Sequence, residues 1–315
     1  MLIKMQVGEQ DRGELQVNVT DSDNAPIRDA RVTISEPETA INPNSPIERL
    51  ETDVSGQTQI VDLNTPPLEY SLNENNENMP YANYNIQIEA PGYETENISN
   101  VEILPDSLSL QDVRMRRREG EQVENIDIDP HTLYAEYPEK IPEDEIKDVN
   151  EPGEIVLSRV VIPEYVVVHN GTPSSNARDY YVTYKDYIKN VASSEIYATW
   201  PRATIEANVL AIMSFTLNRV YTEWYRNKGY DFTITSSTAY DQKWIYGRNI
   251  FQSIDEVVDE IFDQYLSRPD VRQPILTQYC DGKRVTCPNW LSQWGSCNLG
   301  EQGFGTLEII RNYYG

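Results

Sequence analysis

The spacing of apolar residues changes period along this chain, and that change constrains what each part can fold into. Between Gly13 and about Arg118 the period is two: Leu15, Val17 and Val19 alternate with polar residues, as do Val32 with Ile34, and Tyr84 with Ile86 and Ile88. Asp-Asn-Ala-Pro at 23–26, Val-Ser-Gly at 54–56 and Ala-Pro-Gly at 90–92 supply turn signals between these runs. Such alternation gives each strand one buried and one solvated face, so residues 1–118 are predicted to form a small β-sandwich. After Val160 the period becomes helical. Tyr184, Tyr187, Ile188 and Val191 fall at offsets 0, 3, 4 and 7, one face of an amphipathic helix that must end near Trp200, because Pro201 disfavours a helical residue before it. Pro201 suits the first position of a second helix. That helix, predicted over 202–227, is apolar on nearly all sides from Ala207 to Phe215 and is expected to be the central buried one. Further helices are predicted over 253–266 and 306–313.

Residues 119–160 lack sustained periodicity and carry Pro130, Pro138, Pro142 and Pro152 among many acids, the composition of a tether. The expected fold class is therefore α+β: a β-sandwich at 1–118, an acidic linker at 119–160, and a mainly helical α+β domain at 161–315.

Charge divides along the same line. The net charge of −25 splits into −21 for residues 1–150, with 32 acids and 11 bases, and −4 for residues 151–315, with 19 and 15. All five Trp, all five Phe and 15 of the 21 Tyr lie in the second part, enough for a large core or a stacking cleft. With no basic region beyond Arg114, Arg116, Arg117 and Arg118, a nucleic-acid partner is not expected. Residues 1–20 are polar or charged throughout, and no stretch approaches the roughly 18 apolar residues of a spanning helix. Synthesis in the cytoplasm without a signal peptide, and no membrane partner, are the expectations.

One residue stands out chemically. Extending the apolar stripe of the first helix by one turn lands on Glu195. A carboxyl among apolar neighbours has a raised pKa, as a general acid near neutral pH requires. The competing roles for Glu195 are a cap, or an ion pair with Arg202 or Lys189. Nucleophilic catalysis would need a His, and the second domain has only His169. Cys280, Cys287 and Cys297 do not match the usual zinc spacing; a Cys280–Cys287 disulfide or free thiols fit better than the alternative of a zinc site that includes His169, and no cofactor is expected.

The segment Val191-Ala-Ser-Ser-Glu195-Ile-Tyr-Ala-Thr-Trp-Pro201-Arg-Ala-Thr-Ile-Glu-Ala-Asn208 resembles the signature of the stage II sporulation protein D (SpoIID) family of peptidoglycan lytic transglycosylases, and Glu195 falls on the family's catalytic Glu. Leu291-Ser-Gln-Trp-Gly295 with Glu308-Ile-Ile-Arg-Asn-Tyr-Tyr-Gly315 is similar to its C-terminal blocks, and Asp241-Gln242 to Tyr246-Gly247 is a weaker third match. Ile162-Pro-Glu-Tyr-Val-Val-Val-His169, Thr222-Glu-Trp-Tyr-Arg226 and Gln278-Tyr-Cys-Asp-Gly282 are similar to clostridial spore cortex-lytic enzymes made with a prosequence. The first module, from Gly13-Glu-Leu-Gln-Val-Asn-Val-Thr-Asp21 to Ala90-Pro-Gly-Tyr93, resembles transthyretin-like, carboxypeptidase-regulatory-type modules.

These resemblances imply a zymogen, cut by an activating protease near residues 157–162, that cleaves the MurNAc–GlcNAc bond of peptidoglycan glycan strands to a 1,6-anhydro product, with spore coat or cortex as its place of action. Glu195 would be the acid and then the base, with Asp241 the candidate second carboxylate if hydrolysis occurs instead. Gln242 and Gln293 would hydrogen-bond N-acetyl groups, and Tyr240, Tyr246, Trp200, Trp290 and Trp294 would stack on sugars. The resemblance has gaps. The family's central-helix Arg is replaced by the Ile212-Met-Ser-Phe215 stretch, and the sequence stops at Gly315 where the cortex-lytic enzymes continue into a wall-binding domain, so wall affinity is expected from the cleft, the first module or a partner. A non-catalytic coat or cortex protein keeping this fold is the alternative.

Overall fold

The computed structural model describes residues 10–37, 46–118, 123–147 and 157–315. Linker residues 119–122 and 148–156, and the first nine of the expected polar N-terminus, lie outside these. The chain is a mixed α+β protein divided into two compact units. The first comprises residues 1–130 with 197–199 and 246–252, and the second 131–196, 200–245 and 253–315.

In chain order the first unit contains β1 (Asp11–Asp21), β2 (Arg31–Ser35), β3 (Pro46–Glu51), β4 (Val61–Thr65), the single turn α1 (Glu69–Leu72), β5 (Ala82–Glu89), β6 (Thr95–Ile103), β7 (Leu108–Met115) and β8 (Val123–Asp127). The second unit supplies β9 (Tyr165–His169), β10 (Asp179–Thr183), α2 (Tyr184–Glu195), α3 (Arg202–Tyr221) and β11 (Ile234–Thr235). After β12 (Ile250–Phe251), which belongs to the first unit, come α4 (Gln252–Ile261), β13 (Tyr279–Cys280), β14 (Leu291–Ser292), α5 (Gln293–Glu301) and α6 (Thr306–Tyr314).

The first unit has two sheets, ordered β12-β7-β1-β4 and β3-β2-β5-β6-β8. The period-two residues do what alternation demands: Leu15, Val17, Val19, Val32, Ile34, Ile86 and Ile88 are all buried. Tyr84 of β5 ties the sheets together by donating to the Asn64 carbonyl of β4 at 2.8 Å. The last strand of the first sheet comes from far along the chain, since β12 pairs antiparallel with β7. Arg248, just before it, meets Glu102 at 2.7 Å with both side chains buried, and Asn249 exchanges hydrogen bonds of 2.8 and 3.1 Å with the Glu102 backbone. Gly247 has φ +79°, and a Cβ there would stand 2.4 Å from the Ile126 side chain, so no other residue fits.

On β6, Glu96 lies directly opposite Glu124 of β8 and is only 3% exposed. Burial, reinforced by the Glu124 charge, raises its pKa from 4.5 to about 7. Between those two values the folded chain holds a proton that the unfolded chain has lost, so the associated stability is complete below 4.5 and disappears as pH rises through about 7. Glu96→Gln, neutral at every pH, should therefore raise the stability of the first unit at pH 8 by on the order of 1–2 kcal/mol and leave it nearly unchanged at pH 4. Thermal melts at the two pH values check this, and equal effects at both would show that Glu96 is not the group responsible.

In the second unit α3 is the buried centre: residues Ile205, Ala207, Val209, Ala211 to Met213, Phe215 and Leu217 are all enclosed. α2 begins on Thr183, whose hydroxyl accepts from the Asp186 amide. It ends at Glu195, where Ile196 turns to extended backbone with φ −135° and ψ 151°. The helix thus stops a turn earlier than Pro201 alone requires. α3 stops at Tyr221 rather than 227, and α4 at Ile261 rather than 266. Pattern gave no sign of α5, because Gly295 and Gly300 weaken its helical propensity. Packing explains them: a Cβ on Gly300 would stand 2.1 Å from Thr204 Oγ1, and one on Gly295 2.4 Å from Tyr313 Oη.

Residues 131–147 are not a free tether. They belong to the second unit, with His131, Thr132, Leu133, Tyr137 and Lys140 all buried.

Candidate functional site

Glu195 is the last residue of α2 and is fully buried. Its two proposed cation partners are engaged elsewhere: Arg202 pairs with Glu206 and Glu260, and Lys189 with Asp255 at 2.6 Å and Asp259 at 3.1 Å. Its carboxylate accepts two hydrogen bonds instead, from the Lys243 amide at 2.7 Å and from Tyr279 Oη at 2.5 Å. Burial pushes the Glu195 pKa above its ordinary value, opposed by the Lys140 charge and by these two donors. The end of a helix where carbonyls point outward also disfavours a carboxylate. A carboxyl with this balance holds its proton more readily than a surface Glu and can still release it to a prepared anion site.

Several elements converge on Glu195. Tyr279 arrives on β13, which pairs in parallel with β14. At the end of β14 Ser292 caps α5 by accepting from the Gly295 amide at 2.9 Å. The first residue of α5, Gln293, is fully buried, and its Nε2 donates to the Glu195 main-chain carbonyl at 3.1 Å. The two strongest sequence blocks, 98 residues apart at these positions, therefore meet at the same residue.

The neighbouring carboxylates are saturated. Asp241 accepts from Arg219 Nε at 2.7 Å, Tyr225 Oη at 2.6 Å, and the Thr235 amide and hydroxyl at 2.9 and 2.6 Å. Asp281 accepts from the amides of Lys283, Arg284 and Val285 and from Arg284 Nε. With its lone pairs filled by protein donors, Asp241 has no means of activating a water, so the second-carboxylate role does not fit it.

The other expected site residues scatter. Gln242 is fully buried and spent within the core: its Oε1 accepts from Tyr187 at 3.1 Å and Thr216 at 2.8 Å, and its Nε2 donates to the Ile212 carbonyl. Held by three core partners with no exposed surface, it presents no amide to an N-acetyl group. Trp294 is 6% exposed and packs on Trp200 with ring centroids 5.1 Å apart, as core. Tyr240 and Trp290 are half-buried. Tyr246 belongs to the first unit and donates to Glu124 at 3.4 Å.

Cys280 and Cys287 form a disulfide with Cα atoms 5.6 Å apart, while Cys297 is buried in α5 as a thiol. The bridged pair cannot act as thiolate ligands. His169 instead holds Asp179 at 2.7 Å through Nδ1 and stacks on Phe232. Among the described residues no group of three or more His, Cys, Asp or Glu side chains could hold a metal ion, and no helix is long and apolar enough to cross a membrane.

Three groups near Glu195 escaped the sequence reading. Tyr279 lies within a matched block, yet nothing in its spacing marked it as the phenol on Glu195. Lys140 and Tyr137 lie in the expected linker, where composition hid them. Lys140 is 5% exposed, its ammonium 4.2 Å from the centroid of the Tyr279 ring and 2.6 Å from the Asp241 carbonyl, and burial lowers its pKa to about 8.

No family model matches the chain, and no curated protein matches it. Solved structures give partial likenesses. A minor pilin of Streptococcus agalactiae is 17% identical over 36% of this chain, with a TM-score of 0.25, and catechol 1,2-dioxygenase of Acinetobacter radioresistens is 13% identical over 38% of it, also at 0.25. The Bacillus anthracis TIE protein is 13% identical over 34% at a TM-score of 0.22. The chain spans 48% of the pilin, 58% of the dioxygenase and 17% of the TIE protein. At such scores the likenesses carry nothing about what this chain does.

Proposed function

We propose that the chain is a peptidoglycan lytic transglycosylase of the stage II sporulation protein D type, made as a zymogen and acting on spore cortex, with a carboxypeptidase-regulatory-like sandwich as its first unit. The observation that carries the reading is the meeting of Glu195 and Gln293: two separate blocks that resemble the family's signature are joined by one hydrogen bond at a buried carboxyl with a raised pKa. Protonated Glu195 gives its proton to the glycosidic oxygen, and the resulting carboxylate, steadied by Tyr279 and the Lys243 amide, takes the proton of the C6 hydroxyl as that oxygen attacks C1. One carboxyl serves both steps. The saturation of Asp241 and Asp281 favours this route over a two-carboxylate hydrolysis.

Mass spectrometry of cortex fragments digested by chain cut near residues 157–162 tests the proposal. Anhydro-muramic ends are expected, and fragments with only reducible muramic ends would reject it. Tyr279→Phe removes a donor that favours the charged form of Glu195. The Glu195 pKa should then rise further, moving the alkaline limb of the pH–rate profile of the cut enzyme to higher pH; an unmoved limb would show that the phenol does not tune Glu195.

A second reading draws on the complete burial of Glu195: a non-catalytic coat or cortex protein would have no need to expose it. If the cut chain and its Glu195→Gln variant were equally inert on decoated spores, that reading would hold.

A further inference from the structure

An acid that donates a proton to a polymer must meet the polymer, yet Glu195 has no exposed surface. The covering is specific. From residues 131–147, the Thr132 amide donates to the Ser194 carbonyl at 3.0 Å, and His131 Nε2 lies 3.3 Å from the Ile196 carbonyl, so both sequence neighbours of Glu195 are gripped. Tyr137 Oη reaches Gln293 at 3.5 Å, and Lys140 sits over the Tyr279 ring. These are the two side chains that hold the Glu195 carbonyl and carboxylate.

Beyond Lys140 the segment is clamped by charge. Glu143 engages Arg219 with both oxygens, at 2.5 and 3.0 Å, and Glu145 engages Arg268 at 2.6 and 2.7 Å. The Ile141 amide donates to the Ala239 carbonyl, the Glu143 amide to Gln278 Oε1, and the Leu276 amide to the Glu145 carbonyl. Arg284 donates to the carbonyls of Thr132 and Ala135. Pro138 and Pro142 keep the segment extended between these anchors.

We propose that residues 131–147 are an autoinhibitory strap that seals Glu195 from solvent and ligand, and that it stays seated by non-covalent contacts when the chain is broken beyond residue 147. As regulation of the glycan site, it rests on the function proposed above; as a seal over Glu195, it is tested without activity. Cutting near 157–162 removes the covalent link between strap and groove but none of these bonds, so the break makes release attainable and the release itself opens the site.

The test uses the full chain and brief carbodiimide labelling with glycinamide, read at Glu195 by peptide mass spectrometry. Strap seating is followed in parallel by hydrogen exchange of the Thr132, Ile141 and Glu143 amides. Lys140→Glu sets a carboxylate against the Asp241 carbonyl and the face of the Tyr279 ring, where the ammonium was held, and should expel the strap. Glu143→Gln with Glu145→Gln, which weakens the two clamps, serves if the first variant fails to fold. Both change only the strap side of the groove. Expected is faster exchange at those amides together with at least tenfold more label on Glu195 than in the unaltered chain. Three results overturn the proposal: Glu195 equally labelled in the unaltered chain, Glu195 protected while the amides exchange freely, or folded variants whose amides exchange no faster. Label on Glu195 in the released form without anhydro product from cortex would reject the transglycosylase reading and leave the strap standing.

Discussion

Glu195→Gln should lower the formation of anhydro-muramic ends by the cut chain about 100- to 10,000-fold, the range a positioned acid–base group contributes. The substitution keeps the shape of the side chain and an oxygen to accept from the Lys243 amide, while its NH2 can donate to Tyr279 Oη, so binding and folding should change little. It removes the proton that the glycosidic oxygen needs and the base that later receives one. Initial rates on purified cortex glycan, with unchanged pull-down of the variant by cortex, provide the check. A variant retaining more than a tenth of the rate would place the chemistry elsewhere.

The second large effect concerns stability. Arg219 is fully buried, and its charge is balanced by Asp241 and Glu143. Asp241 also gathers Tyr225 and Thr235, so it joins α3, β11 and the loop that follows them. Asp241→Asn leaves a buried guanidinium with one carboxylate and turns an amide NH2 toward either the Arg219 Nε–H or the Thr235 N–H, neither of which can accept. The expected cost is about 3–5 kcal/mol, a large share of the 5–15 kcal/mol typical of a folded domain. All five Trp lie in the second unit, so the Trp fluorescence of a urea titration reports that unit alone. A midpoint within error of the unaltered chain would show that the pair is energetically idle.

How much of this was legible beforehand follows from the range of each interaction. The alternating strands and the buried centre of α3 are local patterns, and both were readable. α5 was not, because its glycines answer to Thr204 and Tyr313, and no window of neighbouring residues contains those contacts. Glu195 could be found from its place on a helical stripe and from a signature. Gln242 lies in a matched block too, but a buried core amide and a ligand-binding amide look alike in sequence until their partners are seen. The largest gap was the strap. Acidic, proline-rich composition reads as a tether, yet Glu143 and Glu145 are there to meet Arg219 and Arg268 more than 70 residues away, and no composition carries that information.

The interleaved chain path bears on what proteolysis can accomplish. The proposed cut falls between residues that belong to the same unit on either side: 131–147 precede it and join the second unit, while β12 and Arg248 follow it and join the first. A protease acting there produces two polypeptides, and each unit becomes a complex of two fragments. Their parting obeys mass action: its extent rises with dilution, and its rate depends on temperature and salt. On the proposed function, the severed protein would be a primed intermediate with a lifetime of its own.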